Sequence, residues 1–430
     1  MGSHQDAKTQ LVEIEKPVYG GAFLARVEGK AVFVPLALPG EQARVRFVEE
    51  KRGYVSAEVE EIVAPASGRI EPACPHYGVC GGCSYQHADY ATQLAWKHAI
   101  LRETLERGGL RAPEEFHELA AAPWDYRNRV RVALDAQGKP GYRSRRSHAI
   151  VPISECPIAA PLLVRAALAA AETVRELKLA PRLAGFSLFC NADESALLVS
   201  VIATGPDKRR FGDLARSLRE RFPELAGAEL VVEARPEEQP RTVARWGDSS
   251  LPYRAAGFDY RVDHGAFFQV NRWLVDALAE RVTAGRTGRV AWDLFAGVGL
   301  FARQLAPGFT RVVAVESALA ATAALAQNLS GANAAAVNED SLRFLRRRGG
   351  AERPDLIVVD PPRAGLGTEI VTELVRIGAP GLVYVSCDPA TLARDLRALI
   401  GSGYALQDVT LVDLFPQTFH LETVVELHKS

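Results

Sequence analysis

No apolar run in this chain approaches the about 18 residues that a membrane-spanning helix needs, so no membrane partner is expected. No secretory leader is expected either. Met1-Gly2-Ser3-His4-Gln5-Asp6 lacks the basic-then-apolar layout, and Asp6 breaks the myristoylation pattern. The expected location is therefore the cytoplasm. Net charge is nearly absent, −1 at pH 7, and argues neither for nor against a nucleic-acid partner. Lysine is scarce, with nine residues against 42 arginines. Arginine suits bidentate phosphate contact, although a high-GC genome produces the same bias. Long repeats and low-complexity tracts are absent. With no leader expected, the six cysteines at 74, 80, 83, 156, 190 and 387 are not expected to build a disulfide framework.

A chain of 430 residues, 48% hydrophobic and 24% charged, reads as an ordinary globular protein of two or three domains. Residues 10–63 alternate apolar and polar positions between glycines, which suits a small β-barrel. Such barrels often bind oligonucleotides, and a β-module with no ligand reads the same way. Residues 64–68 form a linker. Residues 91–110 read as an amphipathic helix with Leu94, Ile100, Leu101 and Leu105 on the apolar side, and residues 91–123 as a whole are expected to be helical and to pack on the last domain. Mixed strands and helices follow to about residue 260. Beyond residue 262, strands are expected over 289–295, 311–316, 355–360, 382–387, 409–415 and 423–427, with helices over 317–328 and 369–377 between them. That alternation is the doubly wound α/β signature.

Chemistry concentrates in this last third. Cys387 ends a buried-strand pattern, and Asp388-Pro389 look like the N-cap and first residue of a helix. A thiol there feels the positive end of the helix, and its pKa is expected to fall. Asp293-Leu-Phe-Ala-Gly297-Val-Gly299-Leu300 forms a glycine turn after a strand, and Glu316 ends the next strand, where an acid meets ribose hydroxyls. The third glycine of the dinucleotide fingerprint is replaced by Ala302, and no Walker lysine follows. The turn suits a nucleoside, S-adenosyl-L-methionine (SAM) better than NAD; a turn kept only for packing is the bland alternative.

Asp360-Pro361-Pro362-Arg363 sets an acid and a rigid ledge at another strand end. Amino-group methyltransferases carry an aromatic after such prolines, so Arg363 argues against methylation of an exocyclic nitrogen. Glu422 opens an apolar strand, where burial would raise its pKa and suit a general base; a strand-edge charge is the bland alternative. His420 is structural or orients substrate. Thiol, donor and base together fit methylation at carbon 5 of uracil through a covalent bond to carbon 6, with the base flipped from its stack. Cytosine is a further target, but Ser386-Cys387-Asp388-Pro389 is not the motif of cytosine enzymes. Cys74, Cys80, Cys83 and Cys156 suit zinc or a 4Fe–4S cluster, and Pro157 after the last favours iron–sulfur. Cys190 reads as a buried hydrophobe. Arg127, Arg129, Arg131, Lys139, Arg143, Arg145 and Arg146, with Tyr126 and Tyr142 among them, form either an RNA surface or a solvated charged face.

Together these runs resemble the RNA 5-methyluridine methyltransferases over nearly the whole chain. Val34–Glu41 is similar to the TRAM strand-and-turn motif, and Tyr126-Arg-Asn128 and Phe267-Phe-Gln-Val-Asn271 are family-like. Ser386–Asp395 and His420-Leu-Glu422 correspond to the nucleophile and base motifs. The resemblance implies a TRAM barrel over 1–66, a central iron–sulfur and RNA-binding domain over 67–262, and a Rossmann-like class I methyltransferase domain over 263–430. It implies Cys387 as nucleophile, Glu422 as proton acceptor, and Cys74, Cys80, Cys83 and Cys156 as cluster ligands. Gln269, Phe295, Gly297, Gly299, Glu316, Asp340 and Asp360 would line the SAM pocket or the reacting site. Leu300 and Asp340 depart from the asparagines found in some members. Members with both barrel and cluster often act on 23S rRNA, which makes that RNA the expected partner, with the T-loop uridine of transfer RNA as the alternative. No obligate protein partner is inferred. A non-catalytic RNA-binding assembly factor, or a redox sensor, are the readings from other classes.

Overall fold

The computed structural model describes residues 9–233 and 240–429. The amino-terminal residues on which the leader reading rests lie outside the described residues. The chain forms two compact units. One comprises Met1–Thr104, Arg143–Val151 and Phe415–His420, the other Leu105–Tyr142, Pro152–Leu414 and Leu421–Ser430.

The first unit starts with β1 (Thr9–Val18), β2 (Ala22–Val27), β3 (Lys30–Pro35), β4 (Gln42–Glu50) and β5 (Tyr54–Ala64), closed into a barrel in the order β1-β2-β3-β5-β4. The alternation read from the sequence becomes an inside and an outside: Ile14, Phe23, Val32, Val34 and Val45 are buried in one core. Helix α1 (Tyr90–Arg107) starts where Asp89 accepts from the Thr92 N–H at 2.8 Å. Its Trp96 ring packs 4.8 Å from Phe23.

Helix α1 stops at Arg107, close to the end of the amphipathic pattern at residue 110 and short of the helical region expected to residue 123. Gly109 takes a left-handed φ of 78° and its N–H bonds back to the Glu106 carbonyl, closing the helix. Residues 117–119 form instead a short strand, β6 (His117–Leu119).

A seven-stranded sheet is built on β7 (Arg129–Leu134), β8 (Pro140–Arg143), β9 (Ile150–Pro152), β10 (Leu183–Cys190), β11 (Leu197–Ala203), β12 (Leu225–Val232) and β13 (Arg241–Gly247), and β7 and β10–β13 belong to the second unit. Helices α2 (Pro161–Glu176) and α3 (Lys208–Arg221) share its apolar core. Cys190 is fully buried there, as expected. A hairpin, β14 (Ser250–Ala255) and β15 (Phe258–Asp263), and helix α4 (Val275–Thr283) lead into the last domain.

That domain alternates β16 (Gly288–Leu294), α5 (Leu300–Leu305), β17 (Phe309–Glu316), α6 (Leu319–Asn328), β18 (Ala334–Asn338), α7 (Ser341–Arg348), β19 (Leu356–Val359), α8 (Gly367–Ile377), β20 (Gly381–Ser386), α9 (Pro389–Gly401), β21 (Tyr404–Val412) and β22 (Glu422–Lys429). The sheet order is β18-β17-β16-β19-β20-β22-β21-β6, parallel from β18 to β20, with β22 antiparallel to β20. The doubly wound α/β expectation holds. Its carboxyl edge, where such sheets place their ligands, collects the ends of β16, β17, β19 and β20. No described helix is long and apolar enough to cross a membrane.

Candidate active site

Strand β20 buries nearly every side chain and delivers Cys387 to the carboxyl edge of the sheet. Asp388 caps α9, accepting from the N–H groups of Ala390 at 3.0 Å and Thr391 at 2.9 Å, and Pro389 fills the first helical turn. Ser386 pairs with Thr423 in the antiparallel ladder. Continuing that register by one residue sets Cys387 opposite Glu422, the first residue of β22. Glu422 is 5% exposed.

The electrostatics of this pair correct one expectation. The Cys387 thiol is not lowered. Burial pushes it up from 9.0 to about 12, the negative charges of Glu422 and Asp360 add to the rise, and Arg363 opposes it. The Glu422 carboxyl is raised well above 4.5 by burial and by Asp360, again against Arg363. Asp360 itself is pushed to about 7 by burial. Burial thus favours the protonated form of all three groups.

The glycine turn lies two strands away. Phe295 adopts a left-handed φ of 63°, rare for a bulky residue, and Gly297 and Gly299 follow at 55° and 93°. A Cβ on Gly297 would meet nothing within 4 Å, whereas one on Gly299 would come 2.7 Å from Leu325. The first glycine leaves space over the turn and the second serves packing. Glu316 bridges the turn to α6, accepting from Gly297 N–H at 2.9 Å and Ala318 N–H at 2.7 Å. Asp293 is fully buried; its Oδ2 accepts from Ala302 N–H at 2.9 Å while Oδ1 has no partner. Burial pushes its pKa to about 8. Open space over a glycine turn, a strand-end acid and an orphaned buried oxygen fit a nucleoside-type methyl donor.

Gln269 is 8% exposed, and its carbonyl accepts from the Asn128 side chain at 2.9 Å. The same amide donates to the Tyr253 hydroxyl at 3.0 Å. Asn128 stood in a family-like run, but the sequence assigned it no task. Asp340 is exposed and caps α7 by accepting from Arg343 N–H at 3.1 Å. Sequence reasoning missed Asp395. It accepts from Leu366 N–H at 2.7 Å and Tyr384 hydroxyl at 2.9 Å, tying the loop after Asp360 to α9. It closed the Ser386–Asp395 run, but the sequence assigned it no task of its own.

Cys74, Cys80 and Cys83 belong to the first unit and Cys156 to the second, and none forms a disulfide. Thiol donors suit iron or zinc, but no group of three or more metal-ligating side chains is assembled among the described residues. The expected cluster thus gains no support from the structure. Several residues of the basic run have partners within the protein. Arg131 pairs with Glu233 and Arg146 with Glu58, and Arg129 lies 4.2 Å over the Phe189 ring. The strand that carries Glu422 starts at that residue, and His420 precedes it in a loop with its ring 4.3 Å from Phe419.

A glycine turn and strand-end acids along the carboxyl edge of such a sheet define a SAM-dependent methyltransferase fold. The chain superposes with a TM-score of 0.77 on the Pyrococcus abyssi tRNA (uracil-54, C5)-methyltransferase in complex with S-adenosyl-L-homocysteine, at 24% identity, covering 97% of this chain and 100% of that one. Residues 351–430 match the tRNA (Uracil-5-)-methyltransferase family and residues 5–59 the TRAM domain. An uncharacterized RNA methyltransferase of Streptomyces avermitilis is 35% identical over 97% of both chains. The 23S rRNA (uracil(1939)-C(5))-methyltransferase RlmD of Pseudomonas entomophila is 34% identical over 97% of this chain and 93% of its own. The chain belongs to the RNA uracil-5-methyltransferase family, with an amino-terminal TRAM domain.

Proposed function

We propose that this protein methylates carbon 5 of a uridine in 23S rRNA, with SAM as methyl donor, Cys387 as nucleophile and Glu422 as base. The observation that carries the reading is the Cys387–Glu422 juxtaposition at the β20–β22 ladder, in surroundings that raise both pKa values. Carbon 5 of uracil is a poor nucleophile. When the ionised Cys387 sulfur bonds to carbon 6, the double-bond electrons move to oxygen 4 as an enolate. Carbon 5 then takes the methyl group as the donor's carbon–sulfur bond breaks. Glu422 removes the proton from carbon 5, the double bond re-forms, and the thiolate leaves. The target base must be out of its stack. Arg363 is the cation that acts on both groups and favours their ionised forms.

Gly297, Gly299, Phe295, Glu316 and Gln269 would hold the donor, with Asp360 between donor and base. Asp340 belongs to the same set, although its carboxylate already caps α7. Relatives named as 23S rRNA enzymes favour that substrate. A transfer RNA uridine is the second reading, prompted by the archaeal structure. The cytoplasm, where these RNAs are made, is the proposed location. An iron–sulfur cluster on Cys74, Cys80, Cys83 and Cys156 remains a separate proposal, resting on the thiols in the sequence. Iron content and visible absorbance of anaerobically purified protein test it, and stoichiometric zinc without iron would refute it.

Cys387→Ala should abolish methyl transfer and keep SAM binding. Glu422→Gln should accumulate a covalent protein–RNA adduct on a denaturing gel, because the thiol cannot leave until the carbon 5 proton does. Methyl transfer by Cys387→Ala would sink the mechanism. Mapping 5-methyluridine in rRNA and tRNA from a deletion strain decides the substrate.

A further inference from the structure

The first unit carries a cleft of about 410 Å³, within the range of about 300–1,000 Å³ typical of small-molecule sites. Neither Cys387 nor Glu422 lines it. Its walls come from the barrel at Gly21 and Phe33, the cysteine loop at Gly81, the turn at Arg145, and the stretch ending at His420.

The walls are tightly built. Gly21 has a φ of 84°, and a Cβ there would come 3.0 Å from the Phe419 ring. Phe419 N–H donates to Ser84 Oγ at 2.9 Å, and Ser84 N–H donates to the Gln417 carbonyl at 2.9 Å. On the opposite side, Gly81 N–H donates to the Arg143 carbonyl at 3.0 Å and Arg145 N–H to the Val79 carbonyl at 3.0 Å. Arg146 takes a left-handed φ of 59°, and its guanidinium is held by Glu58 at 2.8 Å.

Arg145 is different. Its residue is half-buried, and burial lowers its pKa against the pull of Tyr77 and Glu58. No hydrogen bond or ion pair engages its guanidinium among the described residues. A partly desolvated guanidinium with its fork unfilled suits a phosphate. Phe33, Phe419 and His420, all half-buried, line the same cleft. Phe419 is braced edge-on by Tyr19 at 5.8 Å. A held aromatic beside an unpaired guanidinium is how proteins grip an unpaired nucleotide, by stacking and by charge.

We propose that this cleft holds one unpaired nucleotide of the RNA substrate, distinct from the methylated uridine, with its base on Phe419 and its phosphate on Arg145. The proposal rests on RNA being the substrate, and it deepens that reading.

The test uses the full-length protein and fluorescence anisotropy with two probes, a labelled ten-nucleotide single-stranded RNA and a blunt RNA duplex. Phe419→Ala and Arg145→Ala should each weaken single-strand binding about tenfold. Arg145→Ala should also lower the slope of log affinity against log salt by about one, and Arg145→Lys should restore part of the affinity. Duplex binding and SAM binding should be unchanged. A single strand with abasic sites should bind more weakly and become insensitive to Phe419→Ala. Unchanged single-strand affinity in both alanine variants, or an equal loss on duplex, overturns the proposal. The readout is independent of methyl transfer. If no RNA is methylated yet the single-strand losses appear, the cleft stands and the catalytic reading falls; the reverse result separates them the other way.

Discussion

At neutral pH Cys387 is a thiol, and the forces on it can be ranked. A helix N-terminus contributes about 0.3–1 kcal/mol to a nearby anion, less than one pKa unit. Asp388 already occupies two of the N–H groups of α9. Burial with Glu422 and Asp360 moves the thiol from 9.0 to about 12, so desolvation wins over the dipole. The dipole was visible in the sequence as Asp-Pro; the burial and the facing carboxylates come from residues far along the chain. Both groups must be ionised to work, and both have raised pKa values. The single-turnover methylation rate should therefore rise with pH from about 6 to 9 with no descending limb; a flat profile with chemistry rate-limiting would contradict the assignment. Asp293 gives a second test. Its folded pKa of about 8 lies above its ordinary 3.8, so its stabilising contribution is complete below pH 3.8 and is lost as pH rises through 8. The stability of Asp293→Asn relative to wild type should improve steadily between those values, by up to about 1.4 kcal/mol per pH unit. Urea melts at pH 5 and pH 8 measure it.

Among the elements, the glycine turn between β16 and α5 divides its work between two residues. Gly299→Ala forces a left-handed alanine and drives a Cβ to 2.7 Å from Leu325. It should cost about 2–4 kcal/mol of stability, read as a shift of the urea midpoint. Gly297→Ala meets open space, so beyond the left-handed cost of about 1–2 kcal/mol it should act on the donor, raising the KM for SAM. An equal urea shift for both would show that the turn is packing alone. The sequence displayed this turn because its signals are local: two glycines, a strand before and an acid after. Strands β16, β17, β19 and β20 were legible for the same reason, as apolar runs between helices. Strand β6 was not. Its three residues carry no pattern of their own, and the hydrogen bonds that make them a strand come from β21, almost 300 residues along. The pairing of Cys387 with Glu422 was only half legible, since each residue announced itself but the register that opposes them is a tertiary fact.

Across the whole molecule, the chain passes repeatedly between its two units, and the barrel shows why a boundary drawn from composition differs from one drawn by packing. Residues 64–68 read as a linker, yet they are held against the barrel. Glu41 is fully buried, and its carboxylate accepts from Leu38 N–H at 2.7 Å, from Ala66 N–H at 3.2 Å, and from the Arg69 guanidinium at 2.5 and 2.7 Å. Burial alone would raise the Glu41 pKa; Arg69 and the backbone donors outweigh it and hold the carboxyl below its usual 4.5. Tyr85, Ala88 and Trp96 complete the barrel core from beyond the linker. A fragment ending at residue 66 loses Arg69 and leaves Glu41 buried without its counter-ion, at a cost of about 3–5 kcal/mol. It also bares the Phe23 ring that Trp96 covers. Small domains have little stability in reserve, so this loss is decisive. Residues 1–66 alone should unfold without a cooperative transition and bind a hydrophobic dye, whereas residues 1–104 should melt cooperatively. In the full chain, Arg69→Met should be costly and adding Glu41→Gln to it should recover most of that cost, because the damage lies in the orphaned carboxylate and not in the lost bond. A cooperative melt of 1–66 would show that the barrel is autonomous and that the clamp at Glu41 is incidental.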